Sequence, residues 1–273
     1  MENREIPNGW RETTFGEIVD LKTGRLNSNA ADEGGQYPFF TCSPTTFKIN
    51  DYAFDTEALL LAGNNANAIY TLKYYKGKFN AYQRTYVITI PNDKIADYKY
   101  LYYRLNLKLN YLKDISQGSA TKFLTVVILR EMELTLPPYE EQVAIGQVLS
   151  SLDEKIELLE EENKTLETLA QTIFTEWFVN FNFPGATGEM EDSELGEIPK
   201  GWRVGKLDTV SKILAGGDKP ENISTIKTDK FSIPIYSNGV SEYGLFGYTD
   251  SAKIFEESIT VSARGTIGYV CLR

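Results

Sequence analysis

From residue 145 onward, apolar side chains return at a strict rhythm. Ile145, Leu149, Leu152, Ile156, Leu159, Asn163, Leu166, Ala170, Ile173 and Trp177 follow one another at alternating spacings of four and three. This is the heptad of a helix that packs against another helix, with d at Ile145 and a at Leu149. Asn163 falls at an a position, where a buried amide fixes register at some cost in stability. Pro137-Pro138 with Glu140-Glu141-Gln142 supplies a start, and Phe183-Pro184-Gly185 a stop, so the pattern predicts one helix over 137–182. About 40 residues make it about 60 Å long, and it cannot bury its own stripe. A second helical period, through Tyr98, Leu101, Tyr102, Leu105, Leu109 and Leu112, predicts an amphipathic helix upstream.

The pattern also repeats over a long interval. Glu5-Ile6-Pro7-Asn8-Gly9-Trp10-Arg11 returns as Glu197-Ile198-Pro199-Lys200-Gly201-Trp202-Arg203, and the register continues downstream. Phe15, Ile18, Leu21 and Gly24 meet Leu207, Val210, Ile213 and Gly216, a spacing that predicts a short amphipathic helix with a glycine stop in each copy. Tyr37–Phe40 matches Ile233–Tyr236, and the apolar run Leu59–Ala62 matches Ile259–Ser262. The alignment gives the second copy no counterpart of residues 74–181. The repeat therefore implies about 110 further residues in a complete pair, and predicts that the last segment exposes strands that would otherwise be paired.

Composition matters only after this division. The 273 residues carry a formal charge of −10 and no histidine. Residues 1–136 are net +1, residues 137–196 net −12 and residues 197–273 net +1, so the excess acid belongs to the one stretch that holds the helix. Within 70–122, ten Lys/Arg face only Asp93, Asp97 and Asp114. An acidic total argues against nucleic acid; its distribution removes that argument. Without histidine there is no Ser-His-Asp triad and no imidazole ligand. Cys42 and Cys271 cannot build a CxxC site and suit a reducing cytoplasm. The start has no apolar signal run, and no stretch approaches 18 apolar residues, which points to a soluble cytoplasmic protein without a membrane partner.

Three look-alikes of catalytic motifs fail on chemistry. Leu136-Pro137-Pro138-Tyr139 has the outline of an amino-methyltransferase tetrapeptide, but leucine lacks the oxygen that would accept the amine hydrogens. Gly77-Lys78 and Gly205-Lys206 lack the earlier glycine of a phosphate loop. Asp97-Tyr98-Lys99 has the D-x-K form of a metal nuclease but no Pro-Asp partner upstream, and reads as the surface of the amphipathic helix.

The informative chemistry is cationic and aromatic. Lys73-Tyr74-Tyr75-Lys76-Gly77-Lys78 reads as a loop of phosphate-binding and stacking side chains. Asn64, Asn65 and Asn67 offer amides for adenine, Arg25 and Arg84 are candidates for guanine, and Lys122 closes the basic window. Tyr82, Tyr86, Tyr98 and Tyr102 fit a core equally well.

Gly118-Ser119-Ala120-Thr121-Lys122-Phe123-Leu124-Thr125 leads through Leu134-Thr135-Leu136-Pro137-Pro138-Tyr139-Glu140-Glu141-Gln142 to Leu152-Asp153-Glu154-Lys155-Ile156. With the doubled Ile-Pro-x-Gly-Trp, this series strongly resembles the specificity subunits of type I restriction–modification enzymes, over the whole chain. The resemblance implies two target recognition domains joined by helices that pair as an antiparallel coiled coil. Each domain would read half of a split DNA site. The subunit itself would be non-catalytic and bind no cofactor. DNA methyltransferase subunits, using S-adenosylmethionine, would methylate adenine at N6, and motor-nuclease subunits, using ATP and Mg, would cleave.

The expected architecture is α+β: a mixed α/β target recognition domain (1–136), a long coiled-coil helix (137–182) and a partial second recognition domain (183–273). The expected DNA-contacting residues are Arg25, Asn64, Asn65, Asn67, Lys73, Tyr74, Tyr75, Lys76, Lys78, Arg84 and Lys122. The partner-helix face is Ile145, Leu149, Leu152, Ile156, Leu159, Asn163, Leu166, Ile173 and Trp177. Its mate would be a second copy of the chain or a complementing second-half chain. The alternative is a split fragment that acts only as a methyltransferase-binding module without DNA specificity.

Overall fold

The computed structural model describes residues 6–65, 69–92, 94–116 and 122–273. The chain forms two compact units, Met1–Phe183 and Pro184–Arg273. The doubled Ile-Pro-x-Gly-Trp builds the same turn in each. Trp10 N–H donates to Pro7 O at 3.1 Å and Trp202 N–H to Pro199 O at 2.9 Å. Gly9 and Gly201 take φ of 85° and 90°, a region open to glycine because it has no Cβ.

In the first unit, β1 (Arg11–Thr14) leads into α1 (Phe15–Ile18) and β2 (Asp20–Thr23). The predicted amphipathic helix is thus a single turn. Thr14 N–H and the Thr13 hydroxyl donate to the Glu17 carboxylate at 2.9 and 2.7 Å, and Phe15 and Ile18 are buried. Leu21 then lies in a strand opposite Ile88, because pairing with a neighbouring strand satisfies backbone groups that a longer helix would satisfy internally.

Next come β3 (Tyr37–Phe40), β4 (Phe47–Ile49), β5 (Phe54–Ala62), β6 (Asn64–Asn65), β7 (Leu72–Ala81) and β8 (Thr85–Thr89). Five of these strands join β2 in a six-stranded mixed sheet in the order β2-β8-β5-β7-β3-β4, and β6 stands outside it. Its central strand explains the unbroken apolar run. Leu59 and Leu61 pack on one face with Tyr86 and Ile88, whereas Ala58 and Leu60 pack on the other with Phe40, Phe79 and Val87. A strand covered on both faces reads as continuous hydrophobicity, without alternation. Past the sheet edges, Leu26 bridges Tyr82 in parallel, bringing the chain after β2 against the chain after β7.

α2 (Tyr98–Ile115) covers one face through Tyr100, Leu101, Leu105 and Leu112. Asp97, the acid of the D-x-K triplet, is its N-cap and accepts from Tyr100 N–H at 2.8 Å; a carboxylate there meets an unpaired donor and the positive end of the helix dipole. β9 (Lys122–Phe123), α3 (Val126–Arg130) and β10 (Glu133–Leu136) follow, and β10 returns to pair antiparallel with β1.

α4 (Tyr139–Phe174) starts after Pro138, as the double proline predicts, and passes into a π-helical turn at Thr175–Val179. There the side-chain amides of Asn180 and Asn182 donate to Glu176 at 2.8 and 2.9 Å, and Phe181 turns the chain at φ 58°. The first turns of α4 dock on α2. Gln142, 1% exposed, accepts from Asp97 N–H at 3.1 Å and donates to Pro137 O at 2.9 Å. Gly146 admits the close approach: a Cβ there would lie 2.7 Å from Asp97 Oδ1 and 2.9 Å from Tyr100 N.

The second unit is built from the hairpins β11 (Met190–Ser193) with β12 (Gly196–Pro199), β13 (Ile233–Tyr236) with β14 (Leu245–Thr249), and β15 (Ile259–Val261) with β16 (Val270–Leu272). The strands that match across the repeat differ in burial. Leu59 and Leu61 are 0% exposed, whereas Ile259 and Val261 are 67% and 61% exposed. Leu207 and Val210, the counterparts of Phe15 and Ile18, are likewise exposed.

Candidate nucleic-acid interface

The predicted basic loop is not a loop. Residues 73–78 lie within β7, paired with β5 from Phe54↔Phe79 to Leu61↔Leu72. Because strand side chains alternate, the cluster divides between two faces. Lys73 and Tyr75 share the face of Phe40: Lys73 Nζ bonds Thr46 Oγ1 at 3.0 Å and lies 5.8 Å from the Phe40 ring, on which Tyr75 also packs. Burial holds the Lys73 ammonium below its ordinary pKa, since a low dielectric disfavours the charged form. Tyr74, Lys76 and Lys78 take the other face. There Glu57 accepts from the Tyr74 hydroxyl at 2.8 Å and meets Lys76 Nζ at 3.0 Å, while Lys78 lies 4.6 Å from the Tyr52 ring. Lys76 is thus spoken for by a carboxylate, and its bond to Glu57 raises its pKa.

The later part of the basic window is also diverted. Lys99 Nζ reaches Ser150 at 2.9 Å and Glu154 at 3.3 Å, and the Tyr103 hydroxyl donates to Asp153 at 2.6 Å. Burial, then that bond, raises the Tyr103 pKa. These side chains face the acidic helix: part of the opposite charge of the two segments is used to join α2 to α4.

The remaining predicted residues do come together. β6 pairs antiparallel with β9, placing Asn65 opposite Lys122 and Asn64 opposite Phe123. Gly63 N–H donates to Arg84 O at 2.7 Å, and Leu124 N–H to Gly63 O at 2.8 Å, so three separate segments meet at one edge. Asn64, Gln83, Arg84 and Phe123 line a shallow pocket of about 150 Å³. Arg25 is exposed beside it: Leu26, the next residue, accepts from Gln83 N–H at 2.9 Å. Cys42 joins Asn64 and Arg84, and the same loop reaches Lys73 through Thr46. Among the described residues no carboxylate holds Arg25, Arg84 or Lys122 in an ion pair. Asn67 lies outside the described residues, as do Gly118–Thr121 of the sequence series.

Sequence reasoning missed Cys42, Gln83 and the partly exposed Phe123. Gln83 and Phe123 directly follow or precede candidates, and adjacency to Arg84 and Lys122 was a usable signal. Cys42 had no local signal, since only the fold carries it to Asn64.

On α4, Leu149 is half-buried, whereas Leu152, Ile156, Leu159, Leu166, Ile173 and Trp177 are each between 37% and 57% exposed, and Asn163 is exposed. Ile145 differs, because it packs against the core of the first unit. The aromatic end is broader than a two-helix seam: Phe174 and Phe178, also exposed, lie with ring centroids 5.1 Å apart.

A mixed sheet with an appended long helix, followed by a second copy of its opening turn, matches a known group of proteins. Residues 7–168 and 199–273 match the family described as "Type I restriction modification DNA specificity domain". The chain belongs to this family.

Among its relatives, the specificity subunit of the type I restriction enzyme EcoDI of Escherichia coli is 33% identical over 235 residues, covering 79% of this chain and 52% of that protein. A putative type I specificity subunit of Mycoplasma pneumoniae is 29% identical over 269 residues, covering 94% and 68%. The crystal structure of a type I restriction–modification S subunit from M. genitalium superposes with a TM-score of 0.66 at 17% identity, over 99% of this chain and 70% of that one; at that identity the likeness concerns the fold, and it is the α+β fold expected. The chain spans about half the length of the first of these curated relatives and 31% of the length of another, a specificity subunit of Methanocaldococcus jannaschii. Among the described residues, no helix is long and apolar enough to cross a membrane.

Proposed function

We propose that this specificity-family chain recognises duplex DNA through the face formed by Arg25, Asn64, Asn65, Arg84 and Lys122, with Lys73 at its margin, and acts as a non-catalytic scaffold for partner subunits. The observation that carries the reading is the convergence of β6, β9 and the Gln83-Arg84 turn at one edge. It puts forked and amide groups, which discriminate base edges, beside cations not held by carboxylates, which hold phosphates. Methyltransferase subunits using S-adenosylmethionine would supply N6 methylation of adenine, and a motor-nuclease subunit using ATP and Mg would supply cleavage. The assembly would work in the cytoplasm.

The exposed stripe of α4 supports helix pairing as the second half of this role. The mate would be a second copy or a complementing second-half chain. At 36 residues, α4 is about 54 Å long, so an antiparallel mate would hold two recognition faces one to two duplex turns apart.

Selection from a random 30-bp duplex library, read by sequencing, tests the proposal. The expected result is an enriched motif that Arg84→Ala flattens. Retention of the partner methyltransferase subunit with no enriched motif would favour the reading of an interaction module alone, to which the exposed stripe also lends support.

A further inference from the structure

The DNA face contains a thiol that no motif announces. Cys42 Sγ lies 3.0 Å from Asn64 Oδ1 and 3.4 Å from Arg84 O. That carbonyl already accepts Gly63 N–H at 2.7 Å, so the nearer, less engaged acceptor for the single thiol proton is the Asn64 amide oxygen. A thiol is a weak donor, but here it bonds Asn64 in β6, a candidate base-reading group, while lying 3.4 Å from the backbone carbonyl of another, Arg84 before β8. We propose that Cys42 is a positioning residue for base readout: by donating to Oδ1 it fixes the Asn64 amide so that Nδ2 is presented to DNA as a donor. This rests on the DNA-recognition reading above.

The orientation has a chemical consequence. An asparagine free to turn can face adenine with both its donor and its acceptor, the bidentate pairing expected from its residue type. An asparagine whose oxygen is committed inward presents mainly N–H. It then prefers acceptor edges, namely purine N7, guanine O6 or thymine O4, over the donor edge of cytosine N4. Arg84, whose carbonyl lies 3.4 Å from the same thiol, adds donors only. The side of the pocket formed by Asn64 and Arg84 would therefore select a base edge rich in acceptors, of which guanine offers the most in the major groove.

The test uses the full chain with Cys42→Ala and Cys42→Ser, which removes and restores a donor at this position. Selection from the random duplex library should give wild type and Cys42→Ser the same acceptor-rich position. Cys42→Ala should lose about tenfold of the discrimination there, as expected for one base-edge bond, while its affinity for non-selected duplex stays unchanged. An unaltered motif with Cys42→Ala, or an equal loss with the serine variant at equal thermal stability, would overturn the proposal. A second measurement does not depend on DNA binding. The Asn64 side-chain amide resonances should shift and exchange faster in Cys42→Ala but not in Cys42→Ser. If the wild type enriches no motif while these resonances respond, DNA recognition fails and the thiol–amide link stands; if the resonances do not move, the link itself fails.

Discussion

Asn65 and Lys122 face each other as register partners of a two-stranded pair, although the basic window they bracket passes through β7, β8 and α2 between them. This pairing, more than the run of lysines in β7, gathers the candidate base-reading and phosphate-binding groups.

Cations inside and outside the pair should therefore matter unequally. Replacing Lys122 by alanine is expected to weaken duplex binding across sequences and to reduce the salt slope by about one unit. Lys76→Ala should leave the slope nearly unchanged, because that ammonium already meets Glu57. Titration of a fluorescent duplex between 50 and 300 mM salt, roughly the range over which counterion release dominates, distinguishes the two.

The α4 stripe should separate stability from assembly. Leu159 is exposed, so Leu159→Asp is expected to alter the unfolding free energy by no more than about 0.5 kcal/mol while abolishing helix pairing. Sedimentation with the mate helix, alongside denaturant unfolding, checks both. A large loss of stability would mean that the stripe is already covered within the chain.

The joint between α2 and α4 should respond in the opposite way. Gln142→Leu keeps bulk but leaves Asp97 N–H and Pro137 O without their bonds. The expected cost is about 1–3 kcal/mol, seen as a lower urea midpoint with little change in intrinsic duplex affinity at temperatures where the variant is folded.

Acid should loosen the N-terminal turn. The Glu17 carboxyl is held below its ordinary pKa by Thr14 N–H first and the Thr13 hydroxyl second. A carboxylate whose folded pKa is depressed contributes stability above its unfolded value, and this is lost as pH falls through the folded value. Urea midpoints of wild type and Glu17→Gln should therefore differ at pH 7 and converge on acidification below the ordinary glutamate pKa. A constant gap would separate the effect from ionisation.

The sequence by itself determined whatever depends on local period or identity. The heptad from Ile145 predicted a long helix because turn-to-turn contacts follow spacing alone, and Pro137-Pro138 marked its start because proline suits a first turn. The repeated Ile-Pro-x-Gly-Trp built the same turn twice, since its glycine supplies the required φ. Other features were decided only by tertiary structure. Strand pairing sent Lys73 and Lys76 to opposite faces, and set Leu21 in a strand instead of a helix. Docking of α4 drew Lys99 and Tyr103 onto that helix, and Ile145 into the core. Convergence of three segments put Cys42 against Asn64. In each case the deciding partner lies far along the chain, and hydrogen-bond pairing and burial are settled by which surfaces meet, which local periodicity does not encode.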